Sequence, residues 1–128
     1  LMDYVGDKNA NKTTLCTKFK NKDNALKLIL FFYGFSYILL GFYIYKTRNY
    51  LYLLNYITIP LVIDLYNMLK QYNQNPKSLP KIQFWHQPLE NWDKVKTTSN
   101  APFYLRFFFA RNISTIFMLL TCIAIIAF

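Results

Sequence analysis

From Leu28 to Tyr45 the chain reads LILFFYGFSYILLGFYIY, without one charged side chain. Wound as an α-helix at about 1.5 Å per residue, that stretch covers roughly the hydrocarbon thickness of a bilayer. Such a helix is apolar on every side, so it needs either lipid or a large protein interior around it. A chain of 128 residues has no interior of that size. Hydrophobic residues make up 54% and charged residues only 16%, too little charge to coat a soluble domain this small. The run is therefore read as the first of three transmembrane helices in an all-α membrane protein.

The second follows a turn, Lys46-Thr47-Arg48-Asn49, that leaves room only for a tight hairpin, so the helix from Tyr50 to Leu69 runs back antiparallel. It carries Asn55, Thr58, Pro60 and Asp64. A proline inside the helix should free the carbonyl of Tyr56, four residues back, and kink the axis. Polar side chains at that depth rarely face lipid, so this helix is expected to pack inside a larger assembly. The third run, Phe103 to Phe128, has Arg106 and Arg111 near its start and is then apolar to its last residue, which is expected at the far interface. The chain thus divides into a polar N-terminal segment (1–24), a transmembrane hairpin (25–70), an extramembrane loop between helices 2 and 3 (71–102) and a C-terminal transmembrane helix (103–128).

The formal net charge of +9 admits nucleic acid as a partner, but Lys27, Lys46, Arg48 and Lys70 cap apolar runs instead of forming one basic face. Anionic lipids such as cardiolipin, and orientation in the membrane, explain them better. Connectivity puts the N-terminal segment and the loop on one side and the turn and C-terminus on the other. Most lysines fall on the first side, which the positive-inside rule assigns to the matrix, while Lys46 and Arg48 pull the other way. Abundant Phe, Tyr, Ile, Asn and Lys beside only 3 Gly follow AT-rich codons, as in an organellar genome. The first two dozen residues contain Asp3, Asp7 and Asp23 and no Arg, unlike a transit peptide, and Leu1 before Met2 fits a processed start or an organellar initiation.

Asp64 is the most informative single residue. An acid within a membrane helix relays protons, pairs with a buried cation or sits at the interface. It lies roughly 9 Å in from Lys70, and Arg111 lies roughly 12 Å in from Phe103 on the same side. An Asp64–Arg111 ion pair is the expectation, with Arg106 as the other partner to consider; such a pair fixes register more than it adds stability. Tyr37 and Tyr56 are too deep to reach head groups, so neighbouring helices should supply acceptors for their hydroxyls, unless codon bias alone set them there.

His86, the one histidine, lies in a loop stretch with Phe84, Trp85 and Trp92; it is expected to be solvated or to face a partner. Those aromatics suit either the head-group layer or a neighbouring subunit. Cys16 and Cys122 have no metal spacing and read as free thiols. Asn11-Lys12-Thr13 and Asn112-Ile113-Ser114 match a glycosylation sequon by chance. No phosphate loop, nucleophile elbow or paired carboxylate is present, so no catalytic residue, no metal site and no cofactor bound by this chain alone is expected.

The segment Gly41 to Ile59, GFYIYKTRNYLYLLNYITI, resembles the first hairpin of the small three-helix chain 4L subunit of respiratory complex I. The glycine in the first helix, the short basic turn, Asn49 and the leucines Leu51, Leu53 and Leu54 carry the likeness. Thr58 stands where that family has its buried Glu, and the third helix has no acid. Asp64 lies six residues further on, about 240° around an α-helix. The loop before the third helix is longer than the family's, and the family's basic turn faces the matrix. The resemblance implies a subunit of a respiratory complex in the mitochondrial inner membrane, most directly the proton-translocating arm of complex I, partnered by other membrane subunits. Asp64, Arg111, Arg106, Asn55 and Thr58 would then border its machinery. The alternative is an accessory structural subunit of ATP synthase or cytochrome c oxidase, and a third reading is a small transporter or channel working as an oligomer.

Overall fold

The computed structural model describes residues 4–15, 17–19, 21–79, 81–86 and 97–128, and among these the regular structure is entirely helical. A short α1 (Tyr4–Asn9) precedes α2 (Lys22–Thr47). A 3₁₀ segment (Tyr50–Ile57) runs directly into α3 (Thr58–Gln74). A 3₁₀ turn (Phe84–His86) interrupts the connection to α4 (Ala101–Ile126). Three helical stretches, Lys22–Thr47, Tyr50–Gln74 and Ala101–Ile126, are long and apolar enough to cross a membrane, as a multi-pass protein requires.

Each long helix overruns the apolar stretch that announced it. α2 begins at Lys22 because the Asn21 side chain accepts the Asn24 N–H at 2.9 Å, a cap that lets polar residues join the helix. α3 continues past Leu69 to Gln74, and α4 starts at Ala101 with Pro102 in its first turn, where a missing N–H is harmless. The extramembrane loop is correspondingly shorter than expected.

α2 ends on Arg48, whose φ of 59° is left-handed and whose N–H closes on the Ile44 carbonyl at 2.8 Å. A non-glycine residue is strained there by about 1–2 kcal/mol. Asn49 then turns the chain: its Oδ1 accepts from Leu51 N–H at 3.1 Å, and its Nδ2 donates to the Ala124 carbonyl at 2.9 Å. The turn and the end of α4 therefore share one end of the molecule, as connectivity required.

The second span is not a kinked α-helix. Residues 50–57 wind with three residues per turn, so side chains three apart stack in a straight row. Asn49, Tyr52, Asn55 and Thr58 form that row, and all four are buried. Thr58 then opens α3, which leaves Pro60 in its first turn rather than in a helix interior. The carbonyls of Asn55 and Tyr56 both take the Thr58 N–H, so the Tyr56 carbonyl expected to be free is not.

α3 is the central element. A third of the second span is buried (33%), against 17% of α4 and 6% of α2. Leu26 from α2, Val62, Leu65, Met68 and Leu69 from α3, and Leu105, Phe109 and Ile113 from α4 form the main core. A second cluster of Ile44, Tyr52 and Ala124 closes the opposite end.

Between the two clusters α2 approaches the second span closely enough that Gly41 has a role. A Cβ built there lies 3.1 Å from the Tyr56 hydroxyl, which itself donates to the Tyr37 carbonyl at 2.9 Å. Gly41→Ala gains about 1 kcal/mol of helix propensity, which crowding of the Tyr56 hydroxyl should offset, so the melting temperature should change little. In the Tyr56→Phe background the same change should raise the melting temperature, since the contacting atom is gone. Strict additivity of the two substitutions would refute this account of the glycine.

Candidate functional site

The polar side chains of the apolar region gather in three places, and Asp64 anchors the first. It projects from α3 towards the 3₁₀ turn that folds back over it. Asp64 Oδ2 accepts from His86 Nε2 at 2.7 Å and from the Trp85 indole N–H at 3.2 Å. The Gln83 N–H donates to His86 Nδ1 at 3.1 Å, so Nδ1 bears a lone pair and Nε2 carries the proton. Both ring nitrogens are thus committed. The imidazole also meets the Phe109 ring edge-on at 4.6 Å between centroids, and the Trp85 carbonyl accepts from Asn112 Nδ2 at 3.3 Å.

This arrangement corrects two expectations. Asp64 does not pair with Arg111, which is exposed and lays its guanidinium over the Phe108 ring at 4.9 Å. His86 is neither solvated nor turned to a partner; at 3% exposure it is one of the buried residues. Trp85 docks within the chain, while Phe84 stays outside it at 81% exposure. Trp92 and Cys16 lie outside the described residues, and Cys122 is a free, exposed thiol on α4.

Arg106 forms the second place. It is fully buried, yet its guanidinium meets no carboxylate. Nε donates to the Met68 carbonyl at 2.7 Å, and one terminal nitrogen to the carbonyls of Pro102 at 2.8 Å and Ser78 at 3.2 Å. The Tyr72 ring covers it at 5.0 Å. Three carbonyl oxygens and the Tyr72 ring face replace the water a guanidinium would otherwise keep, so the cation is accommodated there without an acid. Of the two cations weighed as partners for Asp64, neither takes that role; Arg106 instead ties α3, the loop at Ser78 and α4 together.

The third place is a ladder across the bundle. The Tyr37 hydroxyl shares a short hydrogen bond with Thr58 Oγ1, which donates to the Asn55 carbonyl at 2.6 Å. Asn55 Nδ2 donates to Thr121 Oγ1 at 2.8 Å and to the Phe117 carbonyl at 3.3 Å, and Thr121 passes its own hydrogen to Phe117 O at 2.9 Å. Tyr37 and Tyr56 thus find the acceptors that their depth demanded. Each branch of the ladder stops at a backbone carbonyl, which cannot hand a proton on, so as built it holds helices in register.

Among the described residues no three His, Cys, Asp or Glu side chains stand together as metal ligands. The residues that sequence reasoning missed are His86, Gln83, Ser78 and Tyr72. An imidazole and an indole side by side in a proline-bounded loop were the available signal for the first. Comparison with protein families, with curated proteins and with solved structures finds no match.

Proposed function

We propose that this chain is a small structural subunit of a multisubunit respiratory complex in the mitochondrial inner membrane, with the membrane arm of NADH:ubiquinone oxidoreductase as the first candidate. The observation that carries the proposal is that the polar groups of the apolar region bond chiefly within the chain, with Asn55 Oδ1 buried without a partner and one edge of Asp64 open. Asp64, Arg106, Asn55 and Thr58 bond to atoms of the same chain, while α2 shows lipid or neighbours Phe31, Phe32, Phe35, Ile38, Phe42 and Tyr45. Polar groups bonded chiefly inward and wide apolar outer faces suit a subunit that other membrane proteins surround. The Gly41–Ile59 hairpin supports the choice of complex. Cardiolipin as an annular partner belongs to the same reading, while the loop side towards the matrix follows from the lysine count alone and is opposite to the chain 4L family's orientation.

The carbonyl-terminated ladder favours one alternative, an accessory subunit of ATP synthase or cytochrome c oxidase that binds neighbours and lipid without touching proton transfer. Native gels of mildly solubilised mitochondrial membranes, with mass spectrometry of each band, separate the two. The expected result is co-migration with NADH dehydrogenase activity. Co-migration with either other complex selects the accessory reading, and a homo-oligomer migrating alone overturns both.

A further inference from the structure

The loop that reaches Asp64 constrains where a bilayer surface lies. Trp85 and His86 meet Asp64 on α3, and the Trp85 carbonyl meets Asn112 on α4. Exposed backbone without regular hydrogen bonding is excluded from hydrocarbon, so the lipid core must begin beyond Asp64 and Asn112, towards the Asn49 turn. From Tyr50 to Asp64, a 3₁₀ segment of 8 residues and the start of α3 rise roughly 26 Å. From Asn112 to the end of α4 the rise is roughly 22 Å, so both stretches are somewhat shorter than a typical lipid core of about 30 Å and need a thinner or locally thinned bilayer. Asp64 then stands at the head-group level, which rests on the membrane-spanning part of the proposed function and not on the choice of complex.

At that level lies an open groove of about 420 Å³, lined by Pro60, Leu61, Asp64, Lys81, Gln83 and Trp85 among others. It holds both signs of charge. The Asp64 side chain is 39% exposed even with Oδ2 engaged, and Lys81 is exposed on the same groove. The two do not close on one another: among the described residues the ion pair is Lys12–Asp7, and Asp64 meets His86 by a hydrogen bond from a neutral imidazole. Pro60 and Leu61 continue the groove as an apolar wall on the hydrocarbon side.

We propose that this groove binds the head group of a zwitterionic phospholipid bearing a primary ammonium, of the ethanolamine type. The ammonium sits on the open edge of the Asp64 carboxylate, the phosphate on Lys81 and Gln83, and the acyl chains run along Pro60 and Leu61. Charge-assisted N–H···O bonds select a primary ammonium over choline, whose nitrogen has no hydrogen to give. An anionic lipid would satisfy Lys81 alone and bring its phosphate against Asp64.

The test is native mass spectrometry of the full chain released from nanodiscs of equimolar phosphatidylethanolamine, phosphatidylcholine and phosphatidylglycerol. The wild type should retain phosphatidylethanolamine in preference to the other two. Asp64→Asn can turn its Oδ1 to His86 and Trp85 and its amide N–H₂ to the groove, so the loop stays docked while the ammonium loses its acceptor. Retention should fall about tenfold, and Lys81→Glu should lower it similarly. Unchanged hydrogen exchange at Gln83 in Asp64→Asn verifies that the loop is in place. Enrichment of phosphatidylglycerol, absence of preference, or a preference that survives both substitutions overturns the site alone. A chain that does not enter nanodiscs overturns the spanning reading and the site with it.

Discussion

Arg106→Met should be among the most damaging single substitutions in this chain. The side chain keeps its length, but the carbonyls of Met68, Pro102 and Ser78 lose the donors that now hold them together. Each buried carbonyl left without its charge-assisted donor costs about 1–3 kcal/mol, which for a chain of this size lowers the melting temperature by more than about 5 °C. Ser78 would be released first, so trypsin should cut after Lys77 and Lys81 much faster than in the wild type. Arg106→Lys should restore little, because one ammonium cannot address carbonyls on three separate segments as a planar fork does. Unchanged melting and unchanged cleavage would show that the buried guanidinium is a passenger.

A comparable loss is expected for Phe109→Ala. Phe109 is 1% exposed, packs in the main core and supports the His86 ring. Removing the ring leaves a void between α3 and α4 at a cost of about 3–5 kcal/mol. The second consequence is local. Without its platform the imidazole should leave Asp64, and the Gln83 amide, which donates to His86 Nδ1, should exchange its hydrogen faster by hydrogen–deuterium mass spectrometry. Phe109→Leu, which keeps much of the volume, should retain most of both properties. Equal exchange at Gln83 in wild type and Phe109→Ala would mean that the turn docks without the ring.

Much of the architecture was legible in the residue pattern, because spans and tight turns are announced by length and charge alone. The hairpin at Lys46–Asn49 set the antiparallel course; the polar content of the second span pointed to packing inside a larger assembly, and within this chain that span is the most buried of the three. The depths of Tyr37 and Tyr56 required internal acceptors, and the ladder supplies them. What failed was azimuth. Asp64 and Arg111 match in depth, but depth says nothing about which way a side chain points around its helix. On α4 the buried face runs through Leu105, Arg106, Phe109 and Ile113, whereas Arg111 lies off it. Phe103, Phe107 and Phe108 flank that face with residues just as apolar, so no amphipathic period identified it. The partner of Asp64 was hidden for another reason: it comes from a loop whose return path is set by tertiary contacts rather than by a local period. Pro60 misled because a proline in a helix interior and one in a first turn look the same in sequence.

The 3₁₀ winding of residues 50–57 also gives the second span an adjustable pitch. At about 2.0 Å per residue instead of 1.5 Å, those 8 residues reach roughly 4 Å further than an α-helix would. Membranes differ in thickness by a similar amount. A thinner bilayer would favour the α form, but each residue would then rotate by about 20° less, an offset of roughly 160° over the segment. Asn55 would swing away from Thr121 and Asn49 from Ala124, so the bonds that join the helices also resist compression of the span. If the segment spans a bilayer, these bonds match it to one hydrophobic thickness, and a membrane of another thickness would be felt first as a twist.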